Sequence, residues 1–554
     1  MSRDMDTTSS QKRQEIGQVV SGSLLEGLKM KLNPENSVED IRAGKFVVVQ
    51  GEKNEFFSMI TDVILETSAK GLLENPPQRD DALLKLAVSG TTTYGTVQLR
   101  PMLMLPIGSQ EDMRPVKTIP GHFSLVYSAD SQDVNRIFGD ERVDNKFFHI
   151  GTPIDMDDTP VCLNLERFVE RSNGIFGKSG TGKTFLTRIV LCGIIKNRKA
   201  VNLVFDMHSE YGWEGNVEDT QRPKVRGLKQ YFQDSVAVFT LDPNSSKRRG
   251  APVDFEVRIP YSQITPEDIV LLQEELNLTP TTLETCYPLV TKFGDTKWFN
   301  ELLSMSMEDI KDFCAQYNVH QRSLEALQRK LNVLAKSCSG FLTKDEDEKG
   351  TDAVSSIISY LTDGKHVVIE FGQHSRPLEY MLVANILTRR IHETYVRLTE
   401  EWMGERGPKP IPLVITIEEA HKFLSPALSR QTIFGTIARE MRKYNVTLLV
   451  VDQRPSGIDP EVLSQVGTRI TCLLNEERDI DAVLTGVSNA QSLRGVLASL
   501  DSKQQALVIG HAVPMPVVIQ TRTYDDELFR KSMGYRTEPP TRDEMEREIS
   551  IDYS

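Results

Sequence analysis

The sequence contains few cysteines, and their spacing excludes two classes of protein. The six cysteines are scattered along 554 residues and form no CxxC pair. Structural zinc sites and small disulfide frameworks both depend on regularly spaced cysteines. We therefore expect neither, and we expect a reducing compartment. The cysteines are Cys162, Cys192, Cys286, Cys314, Cys338 and Cys472.

Long apolar runs are missing as well. No window reaches the roughly 18 apolar residues of a membrane-spanning helix. The first residues, MSRDMDTTSSQKRQ, also lack the apolar core of a secretory signal. These absences predict a soluble, cytoplasmic protein without a membrane partner.

Positive charge is not in excess, because the formal net charge is -13. A protein that coats nucleic acid usually presents a basic face, so the composition argues against that class. It does not exclude a ring with an acidic exterior and basic residues in a narrow channel. With 39% hydrophobic and 26% charged residues, the chain has the composition of a folded protein, and 554 residues predict two or three domains.

Two patterns divide the chain. Short β-like runs separated by turns predict a small barrel or sandwich over about residues 15–150. From Asn173 onward, apolar strand-like runs alternate with helices, which indicates a parallel sheet covered on both faces. Helical periodicity between Pro260 and Tyr360 predicts an insertion. The strand-like runs of the sheet are GIFG at 174–177, VNLVFD at 201–206, VAVFTL at 236–241, HVVIEF at 366–371, PLVITI at 412–417 and VTLLVV at 446–451.

A glycine-rich segment after the first of these runs matches the Walker A spacing, GxxxxGK[ST]. Backbone N–H groups of such a loop surround phosphates at a helix N-terminus, Lys183 reaches the β and γ phosphates, and the Thr184 hydroxyl binds Mg²⁺. A chance glycine-rich turn is the alternative. The strand before the segment and the helix after it, both of which a P-loop requires, argue against that alternative. The segment predicts an ATP site made of Gly177, Lys178, Ser179, Gly180, Thr181, Gly182, Lys183, Thr184 and Phe185.

A P-loop needs an acid on a neighbouring strand, and the run PLVITI is followed by Glu418 and Glu419. We assign Glu418 to the Mg²⁺ shell through a water molecule and Glu419 to polarising the attacking water. Two acids favoured by a helix dipole are the alternative. His421 is either a sensor of the nucleotide or a structural residue.

Three further groups carry polar side chains near strand ends or on a helix between strands. Gln453 follows the run VTLLVV and is either a γ-phosphate sensor or an amide that closes a turn. Arg439 and Arg442 share a helix face, which suits a solvated surface or an arginine finger that reaches the next subunit. The third group belongs to the catalytic centre or caps a loop: it consists of Asp206, His208 and Glu210.

The segments GKSGTGKT, FDMHSEY, ITIEEAH, AREMRKYNV and DQRPSGID occur in this order and resemble the HerA branch of the HerA/FtsK ATPases. The resemblance covers about residues 15–530 and implies a RecA-like P-loop ATPase core with an N-terminal small β-barrel and a helical insertion. The implied limits are 1–150 for the barrel domain, 151–255 and 361–515 for the two parts of the core, 256–360 for the insertion and 516–554 for a C-terminal extension or arm.

The resemblance also implies roles for single residues. Arg442 becomes the favoured arginine finger and Arg439 the second candidate, while Gln453 takes the sensor role. Arg171 falls where the family has another arginine directed at the neighbouring subunit, although Ser172 follows it instead of the expected His. In the acidic motif, Met207 and Ser209 replace the family's Pro and Gly.

The family resemblance implies an ATP-driven homo-hexamer that translocates on double-stranded DNA in its channel, with a nuclease partner of the NurA type in DNA end processing. The alternative is an ATP-dependent ring scaffold that activates a nuclease or NADase effector in antiviral defence; a third possibility is a motor for secretion. Basic side chains are candidates to grip DNA phosphates or to form solvated loops. They are Lys224, Arg226, Lys229, Lys247, Arg248 and Arg249.

Overall fold

The computed structural model describes residues 13–69, 71–74, 76–78, 81, 83, 87–88, 91–107, 113–216, 224–344, 353–374, 376–429, 433–487, 490–502 and 504–535. The first twelve residues, most of the charged segment KDEDEKG at 344–350 and the end of the extension expected at 516–554 lie outside these residues.

The chain groups into two compact units. The first comprises residues up to Asn164 together with Thr468–Arg522, and the second comprises Leu165–Gly467 together with the residues from Thr523 onward. The late segment Thr468–Arg522 thus belongs to the same unit as the N-terminal residues. The domain limits expected from the sequence divide the chain at other places, and they stay a prediction.

A closed six-stranded antiparallel β-barrel forms the N-terminal part of the first unit. Its closure depends on the pairing of Gly27–Leu32 with Thr93–Pro106. Side chains that alternate along the strands, such as Leu28, Met30 and Leu32, fill the interior. In the order of their pairing the barrel strands are Gly27–Leu32, Glu15–Ser23, Leu125–Ser128, Phe46–Gln50, Asn54–Thr67 and Thr93–Pro106, and the short Arg114–Pro115 pairs with the last of them.

A five-stranded antiparallel sheet completes the first unit. Its order is Thr468–Thr471, Gln505–Gly510, Val517–Thr521, Phe147–Pro153 and Val161–Asn164. The helices of this unit are Gly71–Glu74, Ser131–Phe138, Glu477–Leu484 and Ala490–Ala498. The strand-like run QALVIG at 505–510 forms one of these strands, Gln505–Gly510.

A parallel sheet of seven strands forms the centre of the second unit. Every residue of its three central strands is buried, which is why their sequences are continuous apolar runs. The order is Phe255–Glu256, Val236–Thr240, His366–Glu370, Val201–Asp206, Leu413–Glu418, Val446–Asp452 and Asn173–Phe176. The predicted α/β core is confirmed, with strand ends within about two residues of the expected runs.

We name four of these strands after the residues that they carry. The P-loop strand is Asn173–Phe176, the Asp206 strand is Val201–Asp206, the tandem-glutamate strand is Leu413–Glu418, and the Asp452 strand is Val446–Asp452. The tandem-glutamate strand lies between the Asp206 strand and the Asp452 strand. All four end at the same edge of the sheet, because they run parallel.

Helices cover the sheet and make up the predicted insertion. Helix Gln321–Ser337 buries Leu324, Leu327, Leu331 and Leu334, the spacing of one helix face. Two small strand pairs accompany them, Gly215–Asn216 with Lys224–Val225 and Ile259–Pro260 with Leu342–Thr343. The helices of the second unit are Leu165–Val169, Lys183–Lys196, Leu228–Phe232, Pro243–Arg249, Pro266–Leu271, Gln273–Leu276, Pro280–Glu284, Cys286–Phe293, Trp298–Ser304, Met307–Tyr317, Gln321–Ser337, Ala353–Thr362, Pro377–Met403, His421–Leu424, Ile433–Glu440, Pro460–Gln465 and Glu527–Ser532.

Within the described ranges, none of the helices combines the length and the apolar character that crossing a bilayer requires.

Candidate nucleotide site

The glycine-rich loop connects the P-loop strand to helix Lys183–Lys196, as the Walker A spacing predicts. Gly180 and Gly182 have φ angles of 77° and 94°, in the left-handed region that favours glycine. A Cβ added at Gly182 would meet no atom within 4 Å, so the backbone angle rather than space selects glycine there. The loop therefore has the conformation that turns its backbone N–H groups toward an anion.

Two side chains tie the loop to its own backbone. The Thr181 hydroxyl donates to the Lys178 carbonyl at 2.8 Å, and the Lys183 ammonium donates to the same carbonyl at 2.8 Å. Thr184 is half-buried in the first turn of the helix, whose N-terminus attracts negative charge. This arrangement of N–H groups, an ammonium and a hydroxyl fits a polyphosphate.

Glu418 is the last residue of the tandem-glutamate strand and is 8% exposed. The Tyr211 hydroxyl donates to its Oε1 at 3.0 Å. Its Oε2 is buried and has no hydrogen-bond partner in the described part of the chain. Burial and then the charges of Asp206 and Glu210 raise the pKa of Glu418 to about 8. A cation near Oε2 would restore the charged form, so this carboxylate fits a metal-bound water.

Glu419 follows in a left-handed conformation, with φ of 50°. That angle is uncommon for a non-glycine residue and takes the side chain out of the pleat of the strand. The half-buried Glu419 accepts a hydrogen bond at 3.3 Å from Nε2 of the exposed Gln453. The residue expected to polarise the attacking water and the candidate γ-phosphate sensor are thus neighbours, although the structure does not test their roles.

Asp206 holds the loop that follows its strand. Its buried carboxylate accepts the backbone N–H groups of Glu210, Tyr211 and Gly212 at 2.7, 2.8 and 3.2 Å. Burial, followed by the charge of Glu370 on the next strand, raises the pKa of Asp206. The Asp206 carboxylate therefore has a capping role in this structure, which was one of the two alternatives left open by the sequence.

The rest of the acidic motif is less buried. His208 is exposed, and Glu210 is half-buried. The backbone carbonyl of Glu210 accepts a hydrogen bond from the guanidinium of Arg188, which is 1% exposed. That guanidinium also lies 5.4 Å from the ring centroid of Phe185 and 5.5 Å from that of Tyr524. Helix Lys183–Lys196, the P-loop helix, is thus linked to the loop that follows Asp206.

Asp452 performs a similar function on the other side of the tandem-glutamate strand. Its buried carboxylate accepts the backbone N–H groups of His421 and Arg454 at 2.8 and 2.7 Å. It also contacts His421 Nδ1 at 3.0 Å, and this hydrogen bond raises the pKa of His421. Because Nδ1 lies 3.8 Å from Oε2 of Glu419, His421 lies between the two acids.

The three arginines predicted to act between subunits differ in their surroundings. Arg439 donates to the carbonyls of Ser429 and Gly435 within its own subunit. Arg442 lies in the short 3-10 segment Met441–Tyr444, and its side chain is outside the described part of the structure. Arg171 precedes the P-loop strand, and its Nε is buried without a partner among the described residues. All three roles stay predictions.

Ser172, the departure from the family pattern, has a structural role. Its hydroxyl accepts the backbone N–H of Leu448 at 3.1 Å, and its carbonyl accepts that of Gly467 at 2.7 Å. A Cβ added at Gly467 would lie 2.7 Å from Cβ of Arg171, so this glycine makes room for the arginine.

Most of the basic side chains considered for DNA binding form ion pairs within the chain. The exposed Lys247 and Arg248 remain the stronger candidates, on helix Pro243–Arg249. The pairs are Lys224 with Glu214, Arg226 with Asp525, Lys229 with Asp254, and Arg249 with Glu370.

Two contributions to the site were not assigned from the sequence. Tyr211 stood in a recognised motif, yet its contact with Glu418 joins residues far apart in the chain. Asp525 lies within the extension expected at 516–554, and it accepts hydrogen bonds from Arg226, Tyr231 and Arg530. The sequence analysis assigned no contact to Asp525.

Comparison with known families and proteins agrees with this geometry. The family described as "Helicase HerA, central domain" matches residues 148–391, and the "HAS barrel domain" matches residues 16–118. The DNA double-strand break repair helicase HerA of Sulfolobus acidocaldarius is 24% identical over 503 residues, which cover 88% of this chain and 90% of that protein. The protein of the same name from Pyrococcus furiosus is 22% identical and covers 74% of each chain.

Solved structures with some similarity to this chain include VirB4 of Thermoanaerobacter pseudethanolicus, with a TM-score of 0.43 and 14% identity over 70% of this chain and 99% of that one. The plasmid coupling protein TrwB in complex with ADP and Mg²⁺ has a TM-score of 0.41 and 11% identity, and the match covers 66% of this chain and 89% of that one.

Proposed function

Because the chain belongs to the HerA family of P-loop ATPases, we propose that it hydrolyses ATP with Mg²⁺ and uses the energy to move along DNA. One observation carries this proposal. The glycine-rich loop, Glu418 and Glu419 all follow strands that end at one edge of a parallel sheet, where α/β proteins bind ligands.

The P-loop holds the phosphates in this proposal. Backbone N–H groups from Gly177 to Gly182 surround the β phosphate, and Lys183 reaches the β and γ phosphates. Thr184 and, through water, Glu418 hold Mg²⁺, which neutralises charge on the transferred phosphoryl group. The buried Oε2 of Glu418 without a partner supports this assignment, since a metal-bound water would donate to it.

Glu419 orients and polarises the water that attacks the γ phosphate. Its contact with Gln453 supports a sensor role for the amide, because loss of the γ phosphate changes what Gln453 can bind. Asp206 and Glu210 set the charge around Glu418, and His208 lies exposed beside them. Phe185 follows Thr184 in helix Lys183–Lys196, and its ring centroid lies 6.1 Å from that of Tyr524.

The subunits assemble into a hexameric ring in which Arg442 acts on the neighbouring ATP. Arg439 is second, since its present hydrogen bonds must break before it can reach another subunit. Arg171 lies near the start of the P-loop strand and is the third candidate. Double-stranded DNA passes through the channel, and a nuclease of the NurA type is the partner.

The relatives named as DNA double-strand break repair helicases support the DNA substrate and the role in end processing. The exposed Lys247 and Arg248 are the residues that we propose to contact phosphates. Such contacts are sequence-independent and weaken with salt.

The test is ATP turnover by the purified protein with and without linear duplex DNA. DNA stimulates turnover of the wild type, and Lys183→Ala lowers it by about a thousandfold, because the charge on the γ phosphate loses its partner. Lys196→Ala, an exposed lysine at the end of the same helix, is the matched control and stays active. Turnover that ignores DNA would contradict the motor and favour the ring scaffold.

The role of Arg442 is tested by mixing two inactive variants. If Arg442 acts between subunits, Arg442→Ala mixed with Lys183→Ala recovers part of the activity, since some interfaces combine an intact P-loop with an intact arginine. A mixture of Lys183→Ala with Glu419→Gln serves as the control and recovers less, because both residues belong to the same side of the interface in this proposal.

A further inference from the structure

The two carboxylate oxygens of Glu418 have different surroundings. Oε1 accepts the Tyr211 hydroxyl at 3.0 Å, whereas the buried Oε2 has no hydrogen-bond partner among the described residues. A buried acceptor without a donor is unfavourable unless a ligand or water supplies one. The asymmetry therefore marks Oε2 as the oxygen that is open to a donor.

The position of Tyr211 is strongly restrained. Its side chain is 0% exposed, and its backbone N–H donates to Asp206. The same carboxylate holds the backbone N–H groups on both sides of Tyr211, at Glu210 and Gly212. A Cβ added at Gly212 would lie 2.6 Å from Oε1 of Glu370, so the loop packs closely there. The hydroxyl is thus fixed before any ligand binds.

The loop is also attached to the P-loop helix. The fully buried Arg188 donates to the Glu210 carbonyl, one residue before Tyr211. Arg188 lies one helical turn after Thr184, the proposed Mg²⁺ ligand. Tyr211 is therefore held in position relative to both groups that would bind the metal. Its hydroxyl contacts Glu418, and Arg188 connects its loop to the helix that carries Thr184.

We propose that Tyr211 is a positioning residue for the metal site. Its hydroxyl holds Oε1 of Glu418 so that Oε2 can receive the Mg²⁺-bound water. The inference rests on the proposed ATPase function and adds a residue to it. Hydrogen-bond partners of metal-site carboxylates restrict their rotation, and losing one typically weakens metal binding about tenfold to a hundredfold. Tyr211 makes no contact with the reacting phosphate in this scheme.

A second tyrosine offers a matched control. Tyr380 is also 0% exposed, and its hydroxyl donates to the backbone carbonyl of the same Glu418 at 3.2 Å. Replacing either tyrosine with phenylalanine removes one buried hydroxyl that donates a hydrogen bond to Glu418. Only the change at Tyr211 releases the carboxylate.

The experiment measures ATP turnover of wild type, Tyr211→Phe and Tyr380→Phe across a Mg²⁺ titration, after thermal unfolding has shown that the variants are folded. Tyr211→Phe raises the half-saturating Mg²⁺ concentration about tenfold, and Tyr380→Phe changes it by less than about twofold. Binding of fluorescent ADP without Mg²⁺ stays equal in all three proteins, because the P-loop is intact.

A double-mutant cycle keeps the inference testable if both phenylalanine variants lose stability. In a Glu418→Gln background, Tyr211→Phe has little further effect on the Mg²⁺ requirement, since the two changes remove one interaction. Equal Mg²⁺ requirements of Tyr211→Phe and Tyr380→Phe, or additive effects in the cycle, overturn the role of Tyr211. A wild type without ATP turnover contradicts the proposed function instead.

Discussion

Two buried aspartates flank the tandem-glutamate strand, and each accepts backbone hydrogen bonds at the end of its own strand. Asp206 lies beside the acids Glu370 and Glu418, and its pKa is raised by burial and by Glu370. Asp452 instead lies against His421, whose pKa it raises. The same residue type thus has opposite electrostatic surroundings on the two sides.

The difference separates the two catalytic glutamates of our proposal. The Asp206 side holds Glu418 through Tyr211, where clustered negative charge suits a cation. The Asp452 side positions His421 and Gln453 next to Glu419, where hydrogen-bonding groups suit a water molecule. In our proposal, the metal function and the water function therefore lie on different sides of one strand.

The largest expected effect sharpens this separation. Glu418→Gln and Glu419→Gln each lower ATP turnover by about a thousandfold, because each removes a charge that acts on the reacting phosphate or water. Glu418→Gln also raises the Mg²⁺ requirement, whereas Glu419→Gln leaves it unchanged. Turnover measured across a Mg²⁺ titration distinguishes the two variants. If both variants show the same Mg²⁺ dependence, the Asp206 side and the Asp452 side are not functionally distinct.

The aspartates themselves provide the next test, by chemical denaturation. Asp206→Ala leaves three backbone N–H groups without their acceptor, and Asp452→Ala leaves two. At about 1 kcal/mol for each lost bond, the free energy of unfolding falls by about 3 and about 2 kcal/mol. An unchanged free energy of unfolding in Asp206→Ala would show that relief of the repulsion with Glu370 offsets the loss of the three hydrogen bonds.

A smaller effect is expected at Gln453. Its side chain is exposed and touches Glu419, so Gln453→Ala lowers the turnover number about tenfold and changes the free energy of unfolding by less than about 0.5 kcal/mol. The KM for ATP stays the same if the amide senses the γ phosphate without adding to the affinity for ATP. An unchanged turnover number would assign Gln453 to turn closure instead.

The smallest effect is a pH dependence on the Asp452 side. Because the pKa of His421 is raised in the folded state, the pair stabilises the fold fully below about pH 6.5 and loses this contribution as the pH rises through the raised pKa. Denaturation midpoints of wild type and His421→Gln differ more at pH 6 than at pH 9. A constant difference would show that His421 acts through packing alone.

Local sequence was sufficient for the P-loop and the strand ends. The loop conformation follows from glycines at fixed spacing, and parallel strands bring their carboxyl ends to one edge whatever lies between them. The barrel was harder, because the β-like runs that predict it, at 16–22, 45–51, 95–105 and 122–128, do not include the strands Gly27–Leu32 and Asn54–Thr67. Their identity depends on pairing with strands that are distant in sequence.

Charge was the poorest guide. Arg226, Lys229 and Arg249 occur in basic runs that suggest a DNA contact, yet each forms an ion pair with an acid elsewhere in the chain. A sequence shows that a side chain is charged but not which partner the fold brings to it.

By itself, the sequence determined that this protein is a P-loop α/β protein, because motif spacing and apolar periodicity are local properties, while the choice of a barrel over a sandwich for the N-terminal strands came from the family resemblance. The tertiary structure alone decided that Tyr211 holds Glu418, that Glu370 faces Asp206 and that Asp525 gathers Arg226 and Tyr231. Each of these contacts joins segments separated by more than a hundred residues, and only the folded sheet brings them within hydrogen-bond or Coulombic distance.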